Sequence, residues 1–435
     1  MKMLNKILTI TIALFLFISC EVEDGENLNG ADTTSISSDI SRGELGDAIG
    51  GVFSDMRQRL GTQVDAMSVV GREYWRIASS DPRWTGDLLT GVLDDNTFYT
   101  TTPYAGRYAT VKDINLILDG LDNTTADFSE VEKAATRGLL NTIKAHEFLM
   151  VLNMQFENGI RTDVSDSDNL GGFNAYDESL AILIDILNSA AEDLDSGGEA
   201  FPFPIPAGFE GFGTPSTFNG FNKALAARIA AYQGDYPEVL SYLGDSFLDL
   251  EGDLAIGAYF TFSLTGADLA NPLFFAQNST VANVRIAHPT FISEAEADDD
   301  RLEKAPIRNE PLSNAGLTGA YDVFVYKSNI DPVGIIRNEE LVLLNAEANH
   351  ITNPSEAINS INIVRNAAGL PDYSGGSAPS DLVEEILQQR RYSLFAEGGH
   401  RWIDLRRFGR LDELPLDRTG DNTVTQFPTP QNENR

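Results

Sequence analysis

Beyond position 20 the chain contains no cysteine; its one thiol is Cys20. A body without thiols forms no disulfide, no cysteine-ligated zinc site and no thiol nucleophile. Histidine is also scarce. His146, His288, His350 and His400 stand apart from one another without metal-ligand spacing, and each reads as a structural polar residue. Positive charge is short, with 31 Lys and Arg against 65 Asp and Glu and a net charge of −34. Such a field repels nucleic acid and anionic lipid, which argues against both as partners. After the N-terminal leader no apolar run approaches the roughly 18–20 residues that a membrane-spanning helix needs. Missing too are a GxGxxG after a strand, a GxxxxGK[ST] phosphate loop and a GxSxG nucleophile elbow.

What is present begins with the leader. Lys2 and Lys6 precede the apolar run Ile7–Ile18, which is too short to cross a bilayer as a helix. Ser19 then places a small residue directly before Cys20. The pattern resembles the bacterial lipoprotein signal, with residues 1–19 removed and Cys20 acylated as the new N-terminus; Phe17 stands where that signal usually carries leucine. Stable anchoring then takes more than one acyl chain, which implies palmitate-type modification. The leader holds two lysines and no acids, so its removal takes the charge from −34 to −36. Residues 20–41 read as an acidic flexible tether. Glu21, Glu23, Asp24 and Glu26 resemble the surface-export signal of Bacteroidetes lipoproteins, with a generic acidic linker as the plainer reading.

Residues 42–435 read as a single mainly α body, and 42% apolar residues suffice for a large core. Helical periodicity appears over Gly46–Leu60, Tyr108–Leu121, Val131–Phe156, Tyr176–Leu194, Phe221–Gln233, Tyr236–Leu250, Arg337–His350, Pro354–Ala368 and Asp381–Ala396. Two of the pairs are tight. Asp235 with Glu238, and Asn353 with Pro354 and Glu356, carry helix-start chemistry at the turn. About four such pairs resemble tetratricopeptide repeats spread apart by insertions. The expected scaffold is 42–60, 107–250 and 337–409. Long irregular insertions at 61–106 and 251–336 are the ligand side, with a few short strands such as Tyr321–Tyr326. Phe201–Phe221 is a Pro/Gly/Phe loop.

Trp75, Trp84, Tyr99 and Tyr104 lie in the first insertion with Asp81, Arg83 and Asp87 interleaved. Aromatic faces stack on sugar C–H surfaces while charged groups take hydroxyls, so Trp75, Asp81, Arg83, Trp84, Tyr99 and Tyr104 are the candidate ligand-binding residues. The plainer reading has the aromatics anchoring the insertion to the scaffold. A second cluster, Asp166, Asp168 and Asp177, is a damaged EF-hand spacing and a candidate calcium site. The competing reading is a solvated turn with Asp177 as a helix N-cap, and no other cofactor is implied.

The segment Ile386–Gly409 names a family. Arg390, Leu394, Glu397, Gly398, Arg401, Asp404, Leu405 and Gly409 resemble the signature of SusD/RagB nutrient-binding outer-membrane lipoproteins of Bacteroidetes. Gln389 and Ser393 replace its usual glutamates, and Gly399 widens its turn. The run Asn366–Leu370, Asp300-Arg301 and Phe427–Pro430 with Glu433 agree. Physically, Arg390, Glu397, Gly398, Arg401, Asp404 and Arg406 read as a fold-holding ion-pair cluster around a glycine turn, where Gly398 and Gly399 permit a helix C-cap. The resemblance implies a surface-exposed, lipid-anchored protein of the outer membrane. It would capture oligosaccharide and deliver it to a SusC-like TonB-dependent transporter, and would not be an enzyme. Peptide cargo on the same architecture is one alternative. A surface glycoside hydrolase is another, since 65 carboxylates make chance pairs inevitable.

Overall fold

The computed structural model describes residues 33–166, 168–266 and 268–433, and the chain first folds at Thr33–Ser38 (α1) and Arg42–Asp55 (α2). A reciprocal capping box starts α2: Ser41 Oγ accepts from the Glu44 N–H, and the Glu44 carboxylate accepts from the Ser41 N–H. The end of the expected tether is corrected here. Ile40 is fully buried, Thr124 Oγ1 donates to its carbonyl at 2.6 Å, and Asn123 Nδ2 donates to the Ser37 carbonyl at 3.2 Å. Residues 33–41 therefore belong to the body. Cys20, the leader and the earlier part of the tether lie outside the described residues.

The single helix expected over Gly46–Leu60 is two. A turn with Arg59 at φ 61° separates α2 from α3 (Leu60–Val70). Every residue of α3 except Thr62 is buried, so it has no polar face and leaves no 3.6-residue stripe in the sequence. The irregular block expected at 61–106 is corrected accordingly. It holds α3, β1 (Tyr74–Ile77), α4 (Asp87–Thr90) and the beginning of α5 (Phe98–Asn123). Pro103 lies in the second turn of α5, where it removes one hydrogen bond without ending the helix.

The helices α6 (Glu130–Gln155), α7 (Tyr176–Asp195), α8 (Pro215–Gln233) and α9 (Tyr236–Gly244) follow, each packed on the one before, with α6 on α5. Ser129 and Glu132 form the capping box of α6, and Arg42 of α2 reaches Glu132 at 2.8 Å. Gly234 (φ 72°) ends α8, and the Asp235 carboxylate caps α9 by accepting from the Glu238 N–H, as expected. The expected Phe201–Phe221 loop closes a core and ends earlier than expected. Phe201, Phe203, Phe209, Phe212, Phe218 and Phe221 are all buried against one another, and α8 already begins at Pro215.

Between α9 and the C-terminal helices lie β2 (Gly257–Phe260), β3 (Val284–Ala287), α10 (Pro289–Ser293), β4 (Ile307–Asn314), β5 (Leu317–Tyr321) and β6 (Val333–Arg337). The strands form three two-stranded antiparallel sheets, β1–β3, β2–β6 and β4–β5. The expected strand Tyr321–Tyr326 contributes only Tyr321 to β5; Asp322 makes one isolated bridge to Ile286. The last helices are α11 (Asn338–Asn349), α12 (Pro354–Ala367), α13 (Pro379–Ser393) and α14 (His400–Arg407). α11 packs on α9, α12 and α13, which joins the two sets of helix pairs into one mainly helical scaffold of tetratricopeptide-like arrangement. Asn353 makes no side-chain cap on α12, a further correction; Pro354 at the first helical position opens it.

The signature segment is an ionic centre, with roles redistributed from the expectation. Arg390 Nε donates to Asp404 at 2.7 Å, and Arg407 Nε donates to the same carboxylate at 3.0 Å. Arg407 also pairs with Glu347 of α11, and Glu397 pairs with Arg337 at 2.9 Å. Burial opposes ionisation of Asp404, but Arg390 and Arg407 hold its carboxyl below the usual range. Arg406 takes no part in these ion pairs; it donates to the carbonyls of Asn153 and Thr425. Arg401 makes no ion pair with a described carboxylate. Gly398 is not in the left-handed region. Gly399 is, at φ 70°, and it precedes α14 where a C-cap was expected.

Gly399 and Gly71 let α3 and α14 meet. A Cβ on Gly399 would lie 2.4 Å from Met67 Cβ, and one on Gly71 would lie 2.9 Å from Trp402 Cβ. Gly399→Ala thus combines left-handed strain with a side-chain clash. It should lower unfolding free energy by about 2–4 kcal/mol, read as a lower denaturant midpoint at unchanged slope.

Glu73 is buried beneath the same turn, its Oε1 accepting from the Ala396 N–H at 3.3 Å. Burial pushes its carboxyl up to about 7. A carboxyl that holds its proton more tightly when folded contributes stability below its unfolded pKa and loses it as pH rises through about 7. The wild type should therefore lose on the order of 3 kcal/mol between pH 5 and pH 9 that Glu73→Gln retains. Thermal melts of both proteins across that range check this, and parallel curves would refute it.

Candidate functional site

β1 and β3 put Arg76 directly opposite Arg285. Two cations facing each other across a strand pair repel, and Asp65 of α3 resolves the conflict by binding both. Arg285 donates to it through Nε (2.5 Å) and Nη2 (2.8 Å), Arg76 through Nε (3.0 Å), and Tyr74 through its hydroxyl (2.8 Å). Burial opposes the Asp65 charge, yet Arg285 and Arg76 keep its carboxyl below the ordinary range. A buried helix thus sets the position of an arginine that reaches the surface.

From Arg76 outward, cations and rings alternate. The Arg76 guanidinium lies 4.9 Å from the Phe275 ring and 5.5 Å from the Trp84 ring, and Arg285 lies 4.3 Å from Phe275 on the inner side. Trp84 meets Phe98 edge-on at 4.9 Å. Arg83 sits 4.8 Å over Phe98 and donates twice to Asp81, at 2.7 and 2.8 Å. Arg76 also donates to Asn283. Arg83 and Asn283 are exposed, while Phe98, Phe275 and Asp81 are partly so. The result is a surface of ring edges beside fixed N–H donors and carboxylate and amide acceptors, which suits a ligand with one apolar face and many hydroxyls.

Of the six residues expected to form a binding lip, Asp81, Arg83 and Trp84 come together here. The rest of that expectation is corrected. Trp75 is buried and donates through Nε1 to Asp417 at 2.9 Å, with His288 packed edge-on against it. Tyr99 is fully buried and donates to Asp87 at 2.8 Å, and Tyr104 is buried against Tyr108 at 4.7 Å. Trp84 is itself 7% exposed and supports Phe98 and Arg76, so no sugar can stack on its face. These aromatics anchor the segment. Arg76, Phe98, Phe275 and Asn283 were missed. Strand alternation beside Trp75 is the one sequence signal for Arg76; nothing local brings Phe275 to it.

The aspartates of the calcium expectation do not converge. Asp166 Oδ1 accepts from the Asp168 N–H at 2.9 Å, closing a turn. Asp177 is in the first turn of α7, whose N-cap is Ala175, so the N-cap reading is corrected as well. Among the described residues no group of three or more His, Cys, Asp or Glu is arranged to hold a metal ion.

The SusD family's sequence pattern matches residues 326–434, the stretch that carries β6, α11–α14 and the C-terminal tail. The SusD-like protein P38 of Formosa agariphila is 36% identical over 104 residues, 20% of this chain and 20% of that protein. The match thus spans about a fifth of that relative's length. A SusD superfamily protein from Bacteroides vulgatus has the same fold, with a TM-score of 0.67 at 16% identity over 90% of this chain and 96% of its own. Surface glycan-binding protein A from Bacteroides thetaiotaomicron, in complex with laminarihexaose, gives 0.67 at 15% identity over 91% and 97%.

Residues 326–434 thus carry the SusD family's pattern, and the whole body has the fold of SusD superfamily structures.

The matched segment is the ionic centre around Asp404, whereas the cation–ring surface lies outside it, on residues 65–98 and 275–285. No helix among the described residues is long and apolar enough to cross a membrane.

Proposed function

We propose that this protein captures oligosaccharide at the bacterial surface on the Arg76–Phe275–Phe98–Arg83 surface and passes it, chemically unchanged, to a SusC-like TonB-dependent transporter. The observation that carries the reading is the alternation of rings and fixed donors at that surface. The SusD fold supports it, because surface glycan-binding protein A shares the fold and holds laminarihexaose. An open surface suits a long polymer, whose neighbouring units extend beyond any one contact. Attachment to the outer membrane falls to acylated Cys20, and handover falls to the transporter partner.

Native gels cast with a panel of polysaccharides test capture. Retarded migration with undegraded polymer supports it, shortened chains would make the protein a hydrolase, and no retardation with any polymer would leave peptide cargo. Phe275→Ala and Arg83→Ala should each weaken the retarding interaction tenfold or more, a loss of about 1.4 kcal/mol or above. Arg83 is exposed, so its variant should keep the wild-type melting temperature. For the anchor, Cys20→Ser should shift the protein from the outer-membrane fraction to the soluble fraction. Unchanged membrane retention would refute lipid attachment at that residue.

A further inference from the structure

The end of α6, the start of α7, the end of α8 and the end of α14 line a cleft of about 430 Å³, in the size class of a small-ligand site. Phe156, Glu157, Tyr176, Asp177, Tyr232 and Arg406 line it. Its floor is a cation of unusual status. Arg406 is 6% exposed and makes no ion pair with a described carboxylate, whereas its neighbour Arg407 binds both Glu347 and Asp404. Arg406 is fixed instead by the carbonyls of Asn153 (2.9 Å) and Thr425 (3.1 Å) and lies between the rings of Phe156 (4.2 Å) and Trp402 (4.3 Å). Burial pulls its pKa down to about 10. Tyr232, 8% exposed, has no hydrogen-bond partner for its hydroxyl among the described residues, and the same holds for Tyr176.

The remaining walls complete a pattern. Phe156 and Tyr176 meet edge-on at 4.6 Å and form an apolar side. Glu157 and Asp177 are exposed at the rim and pair with no described cation. A ring with one C–H face and several hydroxyls would find its apolar wall, its donors (Arg406 and the tyrosine hydroxyls) and its acceptors (the two carboxylates) in one place. The carboxylates disfavour an anionic sugar. Glu157 also lines an adjoining groove of about 710 Å³, with Asp95, Asn158, Thr425 and Thr429 along it, so a longer chain has a path out of the cleft.

We propose that this cleft is a second saccharide site, holding one neutral hexose unit of a chain that continues along the adjoining groove. The proposal rests on the reading of the protein as an oligosaccharide binder and adds a site that the Arg76–Phe275 surface does not include.

Calorimetric titration with neutral hexasaccharides of glucose, mannose and galactose tests both. The proteins are wild type, Phe275→Ala, Asp177→Asn, Tyr232→Phe, and each cleft variant combined with Phe275→Ala. Asp177 is exposed, so its variant keeps the experiment interpretable if Tyr232→Phe destabilises the fold. The second site predicts residual binding in Phe275→Ala that falls at least tenfold when Asp177→Asn or Tyr232→Phe is added. Binding that is lost entirely in Phe275→Ala, or residual binding that neither cleft substitution changes, would overturn the second site and leave saccharide capture standing. Failure of every hexasaccharide to bind the wild type would overturn both.

Discussion

One carboxylate holds the C-terminal half together. Asp404 receives Arg390 from α13 and Arg407 from its own helix, and Arg407 carries the link on to Glu347 of α11. α11 in turn packs against α9, α12 and α13. Removing one member of a buried network of this kind leaves uncompensated charge, which costs far more than the network's net contribution to stability. The set therefore fixes geometry more than it adds stability. The three helices are held in the one mutual arrangement that brings Arg390 and Arg407 to Asp404 and Glu347, and sliding α14 by a turn would strand those two arginines in a low-dielectric interior.

The same device recurs at Asp65, and there it connects the scaffold to the surface. α3 is held against α14 by the close approach of Gly399 to Met67 and of Gly71 to Trp402. Asp65, on that helix, fixes Arg285 and Arg76, and Arg76 orders Phe275 and Trp84. A third buried set, Arg107 with Glu147 and Gln63, ties α5, α6 and α3 together. Position therefore passes from the ionic centre through an almost wholly buried helix to the partly exposed rings of Phe98 and Phe275. The surface needs no rigidity of its own, because its arginine is already oriented from below.

Much of the helical scaffold was legible in the residues because its helices are amphipathic. Leu180, Leu183, Leu187 and Leu194 of α7 face one core while acidic residues face out, and the structure returns this helix nearly to the residue. α3 was invisible for the opposite reason: a helix buried on all sides has no stripe. The ionic role of the signature followed from alternating charge, but its wiring did not. Arg406 and Arg407 are adjacent and chemically identical, and only the direction in which each leaves α14 decides which one finds Asp404 and Glu347. The aromatics of the first insertion misled because tryptophan and tyrosine serve cores and binding surfaces equally well. Trp75 and Arg76 are neighbours in β1, yet strand alternation sends one inward to Asp417 and the other outward to Phe275.

The excess of acid gives these placements a common logic. In a chain with 65 acidic and 31 basic residues, an arginine near the surface would ordinarily be claimed by whatever carboxylate drifts closest. Arg76 escapes this by being bound first to buried Asp65, and Arg406 by being bound to backbone carbonyls and clamped between two rings. Each keeps its remaining N–H groups directed where the fold points them. For a hydroxyl-bearing ligand this matters more than added contacts, because donors that are already immobilised lose little side-chain entropy on binding. An acidic exterior then repels anionic competitors while leaving neutral chains free to approach. Fixed internal donors beneath an acidic skin are thus a consistent arrangement for selecting an uncharged polyol, and inconsistent with one built to hold an anion.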